Sequence, residues 1–322
     1  MEQLKSLQQK IEVALADLKI SNSPKSLYEP ISYFLSIGGK RIRPILVLLA
    51  ARMFNNKRED VLNQALAVEL FHNFTLVHDD IMDAAPLRRG IATVHEKWND
   101  SQAILSGDVL LIVAYQYLMR THTVYFGDLM NAFNQMAIEV CEGQQMDMDF
   151  EQRTDVTIPE YIEMIRLKTS VLLGCALEIG AIVSDASPED KKHIYDFGVN
   201  IGLAFQIQDD ILDVYGDAEK FGKQVGGDII SNKKTFLYLT ARKDANEAQQ
   251  AIFEAQMNNS NHAEKVEIIR GLYDELNIRQ ISASAMQGFY YKAMEHLKAI
   301  SVIQEKKQLL IGLSDYLMQR EI

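Results

Sequence analysis

The sequence is poor in residues that break helices or cross-link loops. Among its 322 residues are 17 Gly, 6 Pro, 2 Cys and a single Trp. An all-β chain would need a turn about every 8–12 residues, built largely from Gly and Pro, so this shortage favours a helical protein. The two cysteines, Cys141 and Cys175, both lie in apolar stretches. We predict that they are buried free thiols, not a disulfide or a metal pair.

Excess positive charge and long apolar runs are also missing. The chain has 33 Lys and Arg residues against 44 Asp and Glu, a net charge of −11. A general nucleic-acid binder presents a basic face, so we predict no nucleic-acid partner. The longest apolar runs fall well short of the ~20 residues of a membrane-spanning helix, and the N-terminus has no apolar signal-peptide core. These absences predict a cytoplasmic protein without a transmembrane segment.

The sequence does show helical periodicity over nearly its whole length. Long periodic segments, separated by breaks rich in Gly, Pro or Asn, lie at roughly 60–83, 98–120, 128–152, 160–184 and 188–215. Several, such as AVELFHNFTLV, are apolar nearly all round, which is typical of helices at the centre of a large bundle. Because the connections are short, the pattern predicts an all-α fold built as a single domain over residues 1–322.

Two apolar segments end in the same pattern of three aspartates, at positions i, i+1 and i+4. The first motif, HDDIMD, contains Asp79, Asp80 and Asp83; the second, QDDILD, contains Asp209, Asp210 and Asp213. Residues i and i+4 share a helix face about 6 Å apart, so their carboxylates can hold a hard cation together. Helix stability does not explain them, since carboxylates oppose the macrodipole at a helix C-terminus. The pair of motifs therefore predicts Mg²⁺ sites that keep coordination positions for substrate phosphate oxygens.

Basic residues stand close to both aspartate motifs. They are Lys40 and Arg43 in GGKRIRP, Arg88 and Arg89 in LRRG, Lys168 in KTS, and Lys223 and Lys233 after the second motif. Arg binds phosphate through a two-pronged fork, whereas Lys acts as a movable point charge. Each alone is expected to be a solvated surface cation. Lys168 is the exception, because an idle lysine before the apolar run SVLLGCALEIGAIV would be costly.

Together these elements resemble one family, the trans-isoprenyl diphosphate synthases, also called polyprenyl synthetases. The matching elements are, in order, GGKRIRP, HDDIMD, LRRG, GQQMD, KTS, FQIQDDILD and the GK–GGD–NKK stretch, which span about 200 residues between Gly38 and Lys234. One local departure from the family pattern is Ala84-Ala85-Pro86, which leaves the aspartates intact. The resemblance implies an all-α fold around a central cavity, a homodimer and Mg²⁺-dependent prenyl transfer.

The resemblance also implies roles for individual residues. Direct metal ligands would be Asp79, Asp83 and Asp209, supported by Asp80, Asp210 and Asp213, with three Mg²⁺ per active site when substrate is bound. The pocket for isopentenyl diphosphate would comprise Lys40, Arg43, His72 and Arg89. The allylic diphosphate would be held by Arg88, Lys168, Lys223 and Lys233. Thr169 and Gln206 would place oxygens near the growing cation, and Gln144 and Asp147 would back the first metal cluster.

The chemistry of prenyl transfer is consistent with those roles. Breaking an allylic C–O bond puts negative charge on the departing diphosphate, which metals, Arg and Lys stabilise. Positive charge appears on carbon, which neutral oxygens and aromatic faces stabilise. We therefore predict head-to-tail condensation of isopentenyl diphosphate with allylic diphosphates, namely dimethylallyl, geranyl or farnesyl diphosphate.

Three other functions remain open at this point. A class I terpene cyclase normally replaces the second aspartate motif with an Asn/Ser/Glu pattern. A squalene-type head-to-head synthase lacks GGKRIRP. A non-catalytic subunit of a heteromeric synthase tends to lose one aspartate motif. Because both motifs and GGKRIRP are present here, we favour the coupling enzyme.

The length of the product is predicted from residues that precede the first motif. Phe74 lies five residues before Asp79 and Phe71 eight before it, so the two aromatics share a helix face. In the resembled family, a bulky residue at the position of Phe74 is typical of short-chain enzymes. Thr75 beside it is small, and the first motif has no two-residue insertion. We favour a C20 product, geranylgeranyl diphosphate, with C15 farnesyl diphosphate as the alternative.

Overall fold

A computed structural model describes residues 2–54, 61–216 and 225–318 of the chain. Almost all secondary structure in these residues is helical, which confirms the all-α prediction. The chain divides into two compact units. The first comprises Met1–Ala132 and Ala176–Lys191, and the second comprises Phe133–Cys175 and Lys192–Ile322. The single domain over 1–322 stays a prediction.

The helices before residue 126 all lie in the first unit. They are α1 (Glu2–Ala16), α2 (Lys25–Ser36), α3 (Ile42–Phe54), α4 (Leu62–Met82), α5 (Val94–Lys97) and α6 (Asp100–Leu118). A 3₁₀ turn at Thr123–Tyr125 follows. Between α4 and α5 lies a short antiparallel hairpin of β1 (Leu87–Arg88) and β2 (Ile91–Ala92). Arg89 and Gly90 at its tip both have positive φ, 55° and 77°, as a two-residue primed turn requires.

Close packing of α4 against α6 forms much of the first unit. Along α4, residues Ala65 to Phe71 are all buried, so this helix packs on every side, as its largely apolar sequence predicts. Near its C-terminal end, the ring of His78 lies over Gly107 of α6, where any Cβ would collide with it. This glycine therefore lets the end of α4, which carries the first aspartate motif, approach α6.

Three long helices contribute residues to both units: α7 (Phe126–Gln152), α9 (Val171–Ile182) and α10 (Pro188–Tyr215). The remaining helices lie in the second unit. They are α8 (Ile158–Ile165), α11 (Gly227–Ile230), α12 (Phe236–Asp244), α13 (Glu247–Gln256), α14 (His262–Glu275), α15 (Ile278–Ala299) and α16 (Gln304–Met318).

The periodic segment predicted at 160–184 is not one regular helix. It begins at a capping box formed by Thr157 and Glu160 and is interrupted by a π turn at Arg166–Ser170, after which α9 continues. Gly143 of α7 packs against the backbone of this turn, where a Cβ would collide with Lys168. Since π turns insert an extra residue into a helix and are frequent at functional sites, Lys168 is displaced from the regular helical position that its sequence predicts.

Two further observations concern burial and membranes. The prediction for the cysteines is half right: Cys175 is buried, but Cys141 lies on an exposed face of α7, next to the exposed Glu142. Within the described residues, no single helix has both the length and the apolar composition of a membrane span. Two consecutive segments, Asp100–Leu118 and Thr123–Gln152, have that length and composition only when they are taken together, and a bend of 119° separates them.

Candidate active site

The first aspartate motif forms the last turn of α4. The backbone N–H of Asp83 donates to the carbonyl of Asp79 at 2.8 Å, so the two side chains lie one turn apart on the same face. Asp79 is partly buried and Asp83 is exposed. Asp80 points elsewhere and is only 1% exposed. Its Oδ1 accepts from Nε and Nη2 of Arg88 at 2.8 and 2.7 Å, while its Oδ2 is buried without a hydrogen-bond partner.

The second motif repeats this arrangement in α10. Asp209 and Asp213 are partly buried, whereas Asp210 is buried. Oδ2 of Asp210 accepts hydrogen bonds from the Tyr161 hydroxyl at 2.5 Å and from the backbone N–H of Phe236 at 3.2 Å. Burial, together with the nearby charge of Asp228, raises the pKa of Asp210 to about 7. Oδ2 of Asp213 accepts from the backbone N–H of Asp228 at 3.0 Å.

In both motifs, the middle aspartate therefore points into the protein and the outer two share a more accessible face. Among the residues that the structure describes, no group of three His, Cys, Asp or Glu side chains is close enough to hold a metal ion alone. This donor set fits Mg²⁺, which is bound through one or two carboxylates plus substrate phosphates and water instead of an all-protein cage.

A basic cluster lies in the first unit, where three of the four residues predicted to bind isopentenyl diphosphate come together. Nη1 of Arg43 lies 3.0 Å from Nε2 of His72. Burial and the charge of Arg43 hold the pKa of His72 well below its usual value of 6.5. Because a guanidinium can only donate, neutral His72 accepts at Nε2 and carries its proton on Nδ1.

The third member, Arg89, donates from Nη1 to the carbonyl of Gly38. A side chain on Gly39 would collide with this guanidinium, so the glycine pair of GGKRIRP makes room for it. Both guanidiniums are thus bound by neutral acceptors. Burial and the proximity of Arg89 lower the pKa of Arg43 to about 10. The fourth predicted member, Lys40, is exposed on the same turn. Two mutually repelling guanidiniums held by neutral groups form a site that an anion would stabilise.

In the second unit, Nζ of Lys168 forms an ion pair with Oδ2 of Asp147 at 2.6 Å. The prediction gave these two residues different roles, and the structure pairs them across α7 and the π turn. Gln144, one turn before Asp147, is buried, and its Oε1 has no hydrogen-bond partner. Thr169 is partly buried beside Lys168. Gln206 extends Nε2 toward Oδ1 of Asp210 at 3.4 Å, so it lies next to the second motif.

The turn after α11 carries Lys233, which is exposed. Its charge acts on Asp210, whose pKa it lowers against the larger effect of burial, so Lys233 and the second motif are electrostatically coupled. Lys223 lies outside the described residues.

The sequence motifs did not point to two buried residues, Tyr161 and Lys265, that contact the second motif and the turn beside it. Tyr161 holds Asp210, and Lys265, 3% exposed, donates to the carbonyl of Ile230 at 3.0 Å and to Oδ1 of Asn232 at 2.7 Å. Lys265 thereby fixes the turn that carries Lys233. A signal was present, because Lys265 shares the buried face of α14 with Ile269 and Leu272, where a lysine is unusual.

The aromatic residues predicted to control product length form a row along α4. Phe71 is 1% exposed, whereas Phe74 is only partly buried. Their ring centroids are 5.6 Å apart, and the ring of Phe74 lies 4.8 Å from that of His78, edge to face. His78 in turn forms a hydrogen bond to the carbonyl of Ile104 at 3.1 Å. Phe71 thus belongs to the core, and Phe74 lies at its margin beside the aspartate motif.

Comparisons with known proteins agree with the class that these two aspartate motifs and the helical fold define. A family model of polyprenyl synthetases matches residues 24–276. The chain is 36% identical to geranylgeranyl diphosphate synthase of Methanosarcina mazei, covering 100% of this chain and 98% of that protein. It is 35% identical to geranylfarnesyl diphosphate synthase of Natronomonas pharaonis, covering 92% and 91%. A crystal structure of a geranylgeranyl pyrophosphate synthase superposes with a TM-score of 0.93 at 43% identity, covering 99% of both chains.

The chain therefore belongs to the polyprenyl synthetase family. It is an enzyme, a short-chain trans-prenyltransferase, which confirms the class of reaction predicted from the sequence.

Proposed function

We propose that this enzyme condenses isopentenyl diphosphate head-to-tail with allylic diphosphates and releases geranylgeranyl diphosphate. The observation that carries the proposal is the repeated arrangement of the two aspartate motifs, in which Asp80 and Asp210 are held inside the protein while the flanking carboxylates share an accessible face. A site of this kind binds divalent cations together with phosphate. The basic cluster around Arg43 supports a second diphosphate-binding site.

Mg²⁺ belongs to this proposal. Asp79 and Asp83 would hold it at the first motif, and Asp209 with Asp213 at the second. When bound, Mg²⁺ neutralises the negative charge that develops on a departing diphosphate. The protein's own cations serve the same purpose, since Lys168, Lys233 and Arg88 would bind the allylic diphosphate, and Lys168 is held ready by Asp147. Once diphosphate enters, it competes with Asp147 for the ammonium group.

Isopentenyl diphosphate is assigned to the cluster of Lys40, Arg43, His72 and Arg89. Arg43 and Arg89 present fork-shaped donors that match phosphate oxygens. Neutral His72 orients Arg43 without adding a competing charge. Thr169 and Gln206 would offer neutral oxygens to the carbocation, which they stabilise without trapping it. We assign no residue as a general base, since the released diphosphate can take the proton.

The predicted homodimer is supported by an exposed stripe on α6. Leu105 and Ile112 are 55% and 58% exposed and stand two turns apart, on either side of Asp108. Apolar side chains so exposed on long helices are typical of an interface, and we assign them to a second copy of this chain. A cytoplasmic location is part of the same proposal.

The test is to incubate the purified protein with isopentenyl diphosphate and, separately, dimethylallyl, geranyl or farnesyl diphosphate, and to size the products after dephosphorylation. We expect C20 as the main end product from each starter, and no diphosphate release without isopentenyl diphosphate. A C15 end point would select the farnesyl alternative, and C25 would place the chain with its geranylfarnesyl relatives. Diphosphate release from the allylic substrate alone would indicate a cyclase, and no turnover a non-catalytic subunit.

A further inference from the structure

Arg41 stands between Lys40 and Arg43 in GGKRIRP, yet its guanidinium is bound by the carboxylates of Glu12 and Glu69. It is 4% exposed, while Lys40 is exposed. Its backbone has φ 51°, a left-handed conformation that is strained for a non-glycine residue. Such a conformation persists only where the surrounding structure enforces it. The contacts of Arg41 therefore determine the path of this turn, which leads directly into Arg43 at the start of α3.

Those contacts use four hydrogen bonds of one guanidinium. Nε donates to Oε1 of Glu12 at 2.8 Å, and Nη2 to Oε2 of Glu12 at 3.3 Å. Nη1 donates to Oε1 of Glu69 at 2.6 Å. Nη2 also donates to the carbonyl of Leu35 at 3.1 Å. Glu12 belongs to α1, Leu35 to α2 and Glu69 to α4, so Arg41 ties the turn to three helices at once.

The charges of this network act on the basic cluster. One arginine faces two carboxylates, so the network has an excess of one negative charge. Glu69 is buried and, after the dominant effect of burial, is the group that raises the pKa of Arg43 against the repulsion from Arg89. The pKa of Arg89 is lowered by burial and by the charges of Arg41 and Arg88, and the two carboxylates Glu69 and Glu12 oppose that shift. The carboxylates of this network thus offset part of the repulsion among the neighbouring guanidiniums.

Glu12 supplies the second carboxylate partner of Arg41. Without it, Arg41 would have Glu69 as its only carboxylate partner and would draw its charge away from the cluster. The two-pronged contact of Glu12 on Nε and Nη2 also fixes the plane of the guanidinium, and hence the direction in which Nη1 meets Glu69.

We propose that Glu12 of α1 is a positioning residue for isopentenyl diphosphate: acting through Arg41 and Glu69, it fixes the 38–43 turn and the charge balance that hold Arg43 and Arg89 ready for the diphosphate. The inference rests on the proposed function. It assigns a role to α1, a helix that lies outside every motif in the sequence.

The test compares steady-state kinetics of Glu12→Gln with those of the wild type. Glutamine keeps the shape of the side chain and removes its charge. We expect the KM for isopentenyl diphosphate to rise about 5–20-fold, with kcat and the KM for farnesyl diphosphate each within about twofold of wild type. Glu2→Gln, the same change at an exposed position on the same helix, should leave all three unchanged. Glu12→Asp retains the charge and should recover most of the affinity.

A purely structural role would give a different result. If Glu12→Gln lowers the thermal midpoint and changes both KM values or kcat together, or changes none of them, the proposal is wrong. Should that variant fail to fold, Glu12→Asp decides the matter: its shortened contact should raise the KM for isopentenyl diphosphate by less than about fivefold and leave kcat and the KM for farnesyl diphosphate unchanged. A change in all three constants, or in none of them, would overturn the role. Failure of the proposed function is distinguishable, because the wild type itself would then not consume isopentenyl diphosphate.

Discussion

Arg88 and Asp80 form an ion pair that links the β hairpin to the last turn of α4, with two guanidinium nitrogens directed at a single carboxylate oxygen. Asp80 is almost completely buried, and Arg88 is about three-quarters buried. The pair therefore fixes the segment that follows the first aspartate motif. Arg88 is also predicted to bind the allylic diphosphate, so the substrate would compete with Asp80 for its guanidinium.

A double-mutant cycle separates those two roles. Asp80→Asn and Arg88→Met should each lower the free energy of unfolding by about 1–3 kcal/mol, because each leaves a partly buried charge without its partner. The double variant should be more stable than the sum of the two effects indicates, as measured by urea denaturation. Arg88→Met should in addition raise the KM for the allylic substrate. Strict additivity of the unfolding energies would show that the contact contributes nothing.

The accessible aspartates should behave in the opposite way. Asp79→Asn and Asp209→Asn remove charge from a cation site and not from the core, so each should reduce kcat by about 100-fold or more. Their thermal midpoints should stay within about 2 °C of wild type. Chelation should abolish wild-type activity, and Mg²⁺ should restore it.

Matched controls for those variants are Asp17→Asn in the first unit and Asp244→Asn in the second, both at exposed positions. They carry the same change of charge far along the sequence from either motif and should turn over normally. Near-wild-type rates in Asp79→Asn and Asp209→Asn would remove the basis for assigning metal to these motifs.

Separate diphosphate sites predict separate kinetic defects. Arg43→Ala should raise the KM for isopentenyl diphosphate by about 10-fold or more, since it removes a fork-shaped phosphate donor. Lys233→Ala should instead raise the KM for the allylic diphosphate. Lys243→Ala, an exposed lysine at the end of α12, should affect neither. Equal increases of both KM values in every variant would contradict the division into two sites.

The neutral state of His72 has a consequence for stability. Its folded-state pKa is depressed below 6.5 by burial and by Arg43. As the pH falls through about 6.5, the unfolded chain gains a proton at this residue that the folded chain does not, so the unfolded state is favoured. This contribution to stability is present above that pH and declines below it, by at most about 1.4 kcal/mol per pH unit.

His72→Gln removes the titration and keeps an acceptor for Arg43. The free energy of unfolding of the wild type should therefore fall more steeply than that of the variant between about pH 6.5 and pH 5. Chemical denaturation at several pH values measures this difference. Parallel profiles would mean that His72 titrates alike in the folded and unfolded chains.

Product length is expected to depend on Phe74. Phe74→Ala should shift the products toward longer chains by one or more five-carbon units, as judged by chromatography of the dephosphorylated products. Full burial of a phenylalanine would make its loss cost about 3–5 kcal/mol; Phe74 is only partly buried, so the variant should fold.

Phe71→Ala is the matched control on the same helix face. Phe71 is a core residue, so this variant should lose more stability than Phe74→Ala without lengthening the product. An unchanged product distribution from folded, active Phe74→Ala would assign the control of length to another residue.

The sequence predicted the elements whose signal is local. The spacing of Asp79 and Asp83 needs only a helix to bring the two onto one face, and the apolar pattern indicates that helix. What it could not predict depends on contacts between distant segments. The inward direction of Asp80 and Asp210 is determined by Arg88 and Tyr161, which lie 8 and 49 residues away in the chain.

The π turn was missed for a related reason. An apolar run predicts a regular helix whether or not one turn contains an extra residue. A helix that is apolar on all sides has no alternation of apolar and polar residues that an extra residue would shift. Gly143, which accommodates the turn, lies on another helix. The different partners of Arg41 and Arg43 were equally hidden, since both are arginines of one short motif and Glu12, Glu69 and His72 lie far from it in the sequence.

The hairpin makes the number of residues after the first motif matter more than their identity. Arg88 belongs to β1 and Arg89 to the tip, so adjacent arginines reach two different segments, the end of α4 and the glycine pair before α3. Because Arg88 lies on a strand and Arg89 in the left-handed turn, a shift of one residue would change which segment each arginine can contact. An inserted or deleted residue between Asp83 and Arg88 is therefore expected to disturb both contacts at once, whereas a changed side chain would disturb only one of them.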